Sequence, residues 1–215
     1  MTHTAAVLFA IALATGCWRI GEPTSSDAVV AWAAYPDTVV AGQIFPFEFA
    51  GPITPNSCGR LDTAVVAVSD AAIEIQARRV TYDVACARTP IGFYEVRSLT
   101  LPAGTYDVRS GAESFGHIVA LDSGSFSEMR TAGRGTVDEG GGCLLFGPGR
   151  LGNQRPFALQ GAPGEVREVA GSDRLVRVRG TLSGFTLCGG FGSRPAIRVD
   201  EARVLDETLD DYYED

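Results

Sequence analysis

The chain has no lysine: all eighteen of its basic residues are arginine. That excludes Schiff-base catalysis on lysine and the lysine of a phosphate-binding P-loop. Histidine is almost as scarce, with only His3 and His117, so an imidazole-based triad has a single candidate beyond the first residues. Ser123, Ser125 and Ser127 lie near His117 in sequence, but no G-x-S-x-G occurs, and a Ser-rich stretch after Asp122 reads as a polar linker. Zinc lacks its ligands, because the five cysteines form no C-x-x-C. Neither an EF-hand loop nor H-E-x-x-H is present. Gly147-Pro-Gly-Arg-Leu-Gly152 fits G-x-G-x-x-G, but Asn153 to Pro156 blocks the helix that would hold a pyrophosphate, so the segment reads as a loop. No cofactor or metal is expected. The carboxylate pairs Asp138-Glu139 and Asp200-Glu201 are sequence neighbours, which point to opposite faces of a strand. No apolar run reaches the 18 or so residues that a membrane-spanning helix needs.

Charge is unevenly spread. Residues 24–124 carry six arginines against eleven acids, residues 125–205 eleven against eight, and residues 206–215 six acids with no base. The basic excess of the middle segment is too small for a nucleic-acid footprint. The acidic end is expected to be a solvated, disordered tail.

The N-terminus is apolar and uncharged from Ala5 to Ala14. That is too short to cross a bilayer but matches the hydrophobic region of a signal peptide. Ala14-Thr15-Gly16-Cys17 resembles the lipobox of bacterial lipoproteins. The resemblance implies removal of residues 1–16 as a signal peptide and a diacylglyceryl thioether, with fatty acids such as palmitate, on Cys17. The product would be tethered to a membrane of the cell envelope through residues 17–26. Ala12-Leu13-Ala14 offers a second cut, for ordinary secretion. Lipidation of Cys17 leaves Cys58, Cys86, Cys143 and Cys188, an even number for an oxidising space; the other cut leaves an odd one. Locality along the chain selects Cys58–Cys86 and Cys143–Cys188 among the three pairings.

Period-two alternation dominates the rest, and there is hardly an amphipathic helix. Expected strands are Ala28–Tyr35, Ile44–Ala50, Ala64–Val68, Ile73–Val80, Tyr82–Cys86, Phe93–Leu99, Tyr106–Arg109 and Phe115–Leu121, each bounded by turn-forming residues. Leu101-Pro-Ala-Gly-Thr-Tyr106 resembles the tyrosine corner of immunoglobulin-like domains. Residues 27–122 are therefore expected to form an immunoglobulin-like antiparallel sandwich, although Val108 stands where antibody domains carry a cysteine. After a linker at 123–128, residues 129–205 supply Arg134–Val137, Cys143–Phe146, Phe157–Leu159, Leu175–Arg179 and Ile197–Leu205, separated by glycine-rich turns. That order resembles a small OB-like β-barrel; a second small sandwich is the alternative. The fold class is all-β.

On the Val-Arg-Val-Arg strand, Arg177 and Arg179 share a face, and Arg198 falls on the strand that closes the set. Such forks suit carboxylates or phosphates of envelope polymers; the plainer reading is a solvated sheet face. No catalytic residue stands out. The function expected is a non-catalytic binding or structural module of the envelope, partnered by an envelope protein or glycan and not by nucleic acid. The alternatives are an envelope hydrolase using unidentified carboxylates, or an OB-type binder of glycan or peptide.

Overall fold

A computed structural model describes residues 22–148 and 156–214. Residues 1–21, with Cys17 and half of the expected tether, lie outside the described residues, as do residues 149–155, which include the last four positions of the glycine-rich motif. The protein is all-β, built from two sheets.

The first sheet joins β1 (Thr24–Ala28), β6 (Ala72–Thr81), β8 (Gly104–Ser110), β9 (Glu113–Leu121) and β3 (Thr38–Val40), with β5 (Gly59–Val68) also pairing β6. The second runs β7 (Ile91–Leu99), β4 (Phe45–Thr54), β2 (Trp32–Pro36) and β10 (Met129–Gly140), then continues into β13 (Arg174–Leu187), β14 (Ser193–Thr208), β12 (Phe157–Gln160) and β11 (Cys143–Gly147). Because β11 also pairs with β10, the last five strands close into a ring, β10-β11-β12-β14-β13. The pairs β3–β9, β6–β8 and β12–β14 are parallel. Both sheets are thus mixed, where an antiparallel sandwich was expected for the first half.

Two cores follow from the alternation. Phe45, Phe47 and Phe49 of β4 point to one side, with Ala33, Tyr35, Ile73, Ile75, Tyr106 and Val108, and fill the space between the sheets. Each phenylalanine fully buried there contributes about 1.5–3 kcal/mol. The opposite face of β2 and β4 supplies Trp32, Ala34 and Ala50 to the interior of the ring, beside Phe146, Phe157, Val176, Val178 and Ile197. A single turn of helix, α1 (Gly164–Glu168), packs Val166 into that interior.

The loop expected as a linker does occur at 123–128, yet the sheet is continuous across it. Met129 to Gly133 of β10 pair with Trp32 to Pro36 of β2. Gly133 permits this: a Cβ there would lie 2.5 Å from the Ala31 oxygen and 2.7 Å from Trp32 Cα.

Three local expectations change. Residues 82–86 form no strand; they are a loop held beside β5, where Cys58 and Cys86 lie at a Cα separation of 5.6 Å. Thr24 to Ser26, expected in the tether, already pair with β6. The acidic end is folded onto the body. Strand β14 runs to Thr208, a short helix α2 follows at Asp211–Glu214, and Leu209 is buried against Ala31 and Leu175. The Asp211 carboxylate accepts hydrogen bonds from the Thr208 amide (2.5 Å) and hydroxyl (3.0 Å), which holds its pKa below the usual carboxylate range.

Candidate functional site: an aromatic groove beside the ring

The longest strands of the ring, β13 and β14, project as a two-stranded arm. Cys143 and Cys188, with Cα atoms 5.4 Å apart, tie its far end to the β10–β11 hairpin. At that crossing Gly141 faces the Cys188 carbonyl so closely that a Cβ would overlap it. Within the arm the register slips between Leu182–Ile197 and Phe185–Pro195. Gly184 takes φ +88° there, a conformation that L side chains rarely adopt. The bulge turns Phe185 outward, leaving it 74% exposed, and Leu187 two residues on is 77% exposed.

Under the arm lies a groove of about 540 Å³ lined by Tyr94, Phe157, Leu182, Phe185 and Pro195, with Glu48 as its one charged side chain among the described residues. Tyr94 comes from β7, Glu48 from β4, Phe157 from β12 and the rest from the arm, so the groove spans both halves of the chain. Trp32 braces the aromatic walls from behind, its ring 4.9 Å from Phe157 and 6.1 Å from Tyr94. The Tyr94 hydroxyl donates to the Glu48 carboxylate. Burial first, and then that bond, hold the phenol well above its ordinary pKa, so it stays a neutral donor. The arm is stiffened by Gln160, whose amide donates to Thr186 Oγ1 (2.6 Å) and whose carbonyl accepts from Ser183 (3.1 Å).

A lone carboxylate bonded to a phenol, walled by rings, can bind an apolar group beside a cation or donor. Among the described residues its lining holds no nucleophile–base pair and no second carboxylate.

The expected arginines meet three different environments. Arg177 is half-buried and paired with Glu113 of β9 at 3.0 Å; Arg198 is exposed and paired with Glu128 at 3.1 Å. Arg179 forms no ion pair among the described residues and lines a separate small cleft. Val176 and Val178, which alternate with Arg177 and Arg179, point into the ring, as the alternation predicts. His117 stands opposite Asp107 on β8. Ser127 is engaged elsewhere, accepting from the Thr38 amide (3.0 Å) and donating to the Glu128 carbonyl (3.2 Å). Among the described residues no group of three His, Cys, Asp or Glu is placed to hold a metal, and no helix is long and apolar enough to cross a membrane.

Sequence reasoning missed the groove. Its only signal was an unexplained glycine beside a phenylalanine at 184–185, inside a strand. Comparison with protein-family models, with curated proteins and with solved structures finds no significant match.

Proposed function

We propose that the protein is an exported, lipid-anchored, non-catalytic binding module, and that it holds a protein partner by an extended apolar segment seated in the groove of Tyr94, Phe157 and Phe185. The groove carries this reading. Fully burying a side chain the size of Phe185 is worth about 1.5–3 kcal/mol, and a partner that covers it gains that energy. Among the described residues the lining offers rings and aliphatic groups and a single charge, Glu48. That favours a segment with a large apolar side chain next to Arg or Lys over a glycan, whose hydroxyls need several polar partners.

The surrounding architecture supports the same reading. The ring order β10-β11-β12-β14-β13, with a helix after its third strand, supports an OB-like barrel; such barrels bind ligands on the second and third strands and the loop between the fourth and fifth. The groove uses β12 and the β13–β14 arm. In the first half the Tyr106 hydroxyl donates to the Pro102 carbonyl at 3.1 Å, which supports the immunoglobulin-like reading. The lipobox-like Cys17 and the two cysteine pairs support export and anchoring.

The test is selection from a random phage-displayed peptide library, with a glycan array probed in parallel, using the wild type and Phe185→Ser. The expected result is enrichment of peptides with Phe, Leu or Trp beside a basic residue, lost in Phe185→Ser; Glu48→Gln relaxes the basic preference. No enrichment, enrichment that survives Phe185→Ser, or glycan binding that depends on Phe185 would each overturn it.

A further inference from the structure

On the other face of β2, away from the aromatic groove, the two halves of the chain leave a cleft of about 210 Å³ between them. Its walls include Tyr35, His117, Arg130, Arg179 and Asp37. Liquid water takes about 30 Å³ per molecule, so the space suits one small group and not a polymer chain.

The arginines around it differ in one respect. Arg130 lies 2.8 Å from Asp200 and 4.0 Å from Asp37; Arg134 is paired with Glu113 and Glu207, Arg177 with Glu113, and Arg198 with Glu128. Arg179 has no such carboxylate among the described residues, although it stands on the same strand face as Arg177. A guanidinium on a cleft wall without an anion is a ready partner for one.

Tyr35 is the second observation. The residue is 3% exposed, its ring stacks on Phe47 at 5.6 Å, and its hydroxyl makes no hydrogen bond among the described residues. That hydroxyl lies beside Gly116 on the cleft wall, where it can donate to a group that enters the cleft. Burial raises its pKa, with the Arg179 charge acting in the opposite sense. The phenol is therefore a neutral donor within electrostatic reach of Arg179. Gly116 keeps the approach open, because a Cβ there would sit 3.1 Å from the Tyr35 oxygen. His117 of β9 lines the same space.

We propose that Arg179, Tyr35 and His117 form a binding site for a single carboxylate group. The charges select a monoanion: Arg130 is already matched by Asp200 and Asp37, and the Asp37 carboxylate in the wall repels a dianion such as phosphate. A peptide C-terminus and the acid of a uronic or small organic acid present the same group. The site is separate from the aromatic groove, and neither depends on the other.

The experiment follows the imidazole resonances by NMR in purified protein that begins at Cys17, where His117 is the sole histidine. The probes are N-acetylalanine, N-acetylalanine amide, glucuronate and inorganic phosphate at pH 7. Saturable shifts of His117 with either acid, absent with the amide and weaker with phosphate, are the expected result. N-acetylalanine binding more tightly would identify a peptide terminus as the source, glucuronate a sugar acid. Arg179→Gln should weaken binding about ten- to a hundredfold and Tyr35→Phe several-fold, the latter keeping the ring stack and hence the fold. No saturation by either acid, equal response to the amide, tighter binding of phosphate, or unchanged affinity in Arg179→Gln would overturn the proposal.

Discussion

Glu113 holds the two sheets together electrostatically, and removing its charge should be felt throughout the molecule. It projects from β9 in the first sheet toward Arg134 of β10 (3.4 Å) and Arg177 of β13 (3.0 Å), which face each other across the second sheet. The carboxylate side chain is 16% exposed, and its partners 18% and 24%. Glu113→Gln would leave Arg177 without its carboxylate, next to an Arg134 that keeps Glu207 at 2.5 Å. Breaking a fully buried pair costs about 3–5 kcal/mol and an exposed one about 0.2–1 kcal/mol. At this burial the loss should be about 2 kcal/mol. For a chain of this size that lowers Tm by about 4–8 °C, and the denaturant midpoint should fall with an unchanged slope. Thermal and urea unfolding followed by circular dichroism would read both. Because Arg177 is left unmatched, Glu113→Gln combined with Arg177→Gln should be less destabilised than the two losses added. A loss below about 0.5 kcal/mol, or strict additivity, would refute the idea that Glu113 joins the sheets.

Removing Cys143–Cys188 by double substitution to alanine should cost about 4 kcal/mol, and Cys58–Cys86 about 3.6 kcal/mol, from their 45- and 28-residue separations; guanidinium unfolding without reductant measures both, and equal midpoints with and without the pairs would contradict it. Asp211, whose pKa is lowered in the folded protein, stabilises the C-terminal helix above the ordinary carboxylate pKa and loses that effect as pH falls through the lowered value. Amide protection factors at Leu209 and Tyr213, taken against the intrinsic rate at each pH, should therefore fall in acid, and Asp211→Asn should show the lower protection already at neutral pH. Intact mass of membrane-extracted, unreduced protein should give a chain beginning at Cys17, heavier by its acyl chains and lighter by the hydrogens lost in two disulfides. A chain starting at Thr15 without lipid, or an uncut chain with free thiols, would remove the anchor from the proposal.

Much of the local structure was legible because it depends on near neighbours. The alternation of Phe45, Phe47 and Phe49 gave the core face of β4, and Leu101 to Tyr106 gave a corner whose hydrogen bond spans four residues. The arginine–valine alternation at 175–179 placed Val176 and Val178 inside the ring. What depended on distant partners was hidden. Trp32 to Pro36 meet Met129 to Gly133 across nearly a hundred residues, and only the crowding at Gly133 marks the join. Residues 82–86 alternate like a strand, but the neighbouring Cys86 holds them in a loop beside Cys58. The groove escaped notice for a related reason. Its rings come from β7, β12 and β13, and Phe185 faces it only because the bulge at Gly184 reverses the alternation. Arg177, Arg179 and Arg198 looked alike in sequence; the acids that distinguish them, Glu113 and Glu128, lie on other elements.

Trp32 stands directly behind the groove, in contact with Tyr94 and Phe157, and offers the most direct measurement of whether the groove binds an apolar segment. In Trp18→Phe protein it is the sole tryptophan. Titration with a peptide enriched in the selection should change its fluorescence saturably, with one-to-one stoichiometry, and Phe185→Ser should abolish the change. Emission that stays constant while the peptide binds, or an equal response in Phe185→Ser, would place binding elsewhere and contradict the assignment of the groove.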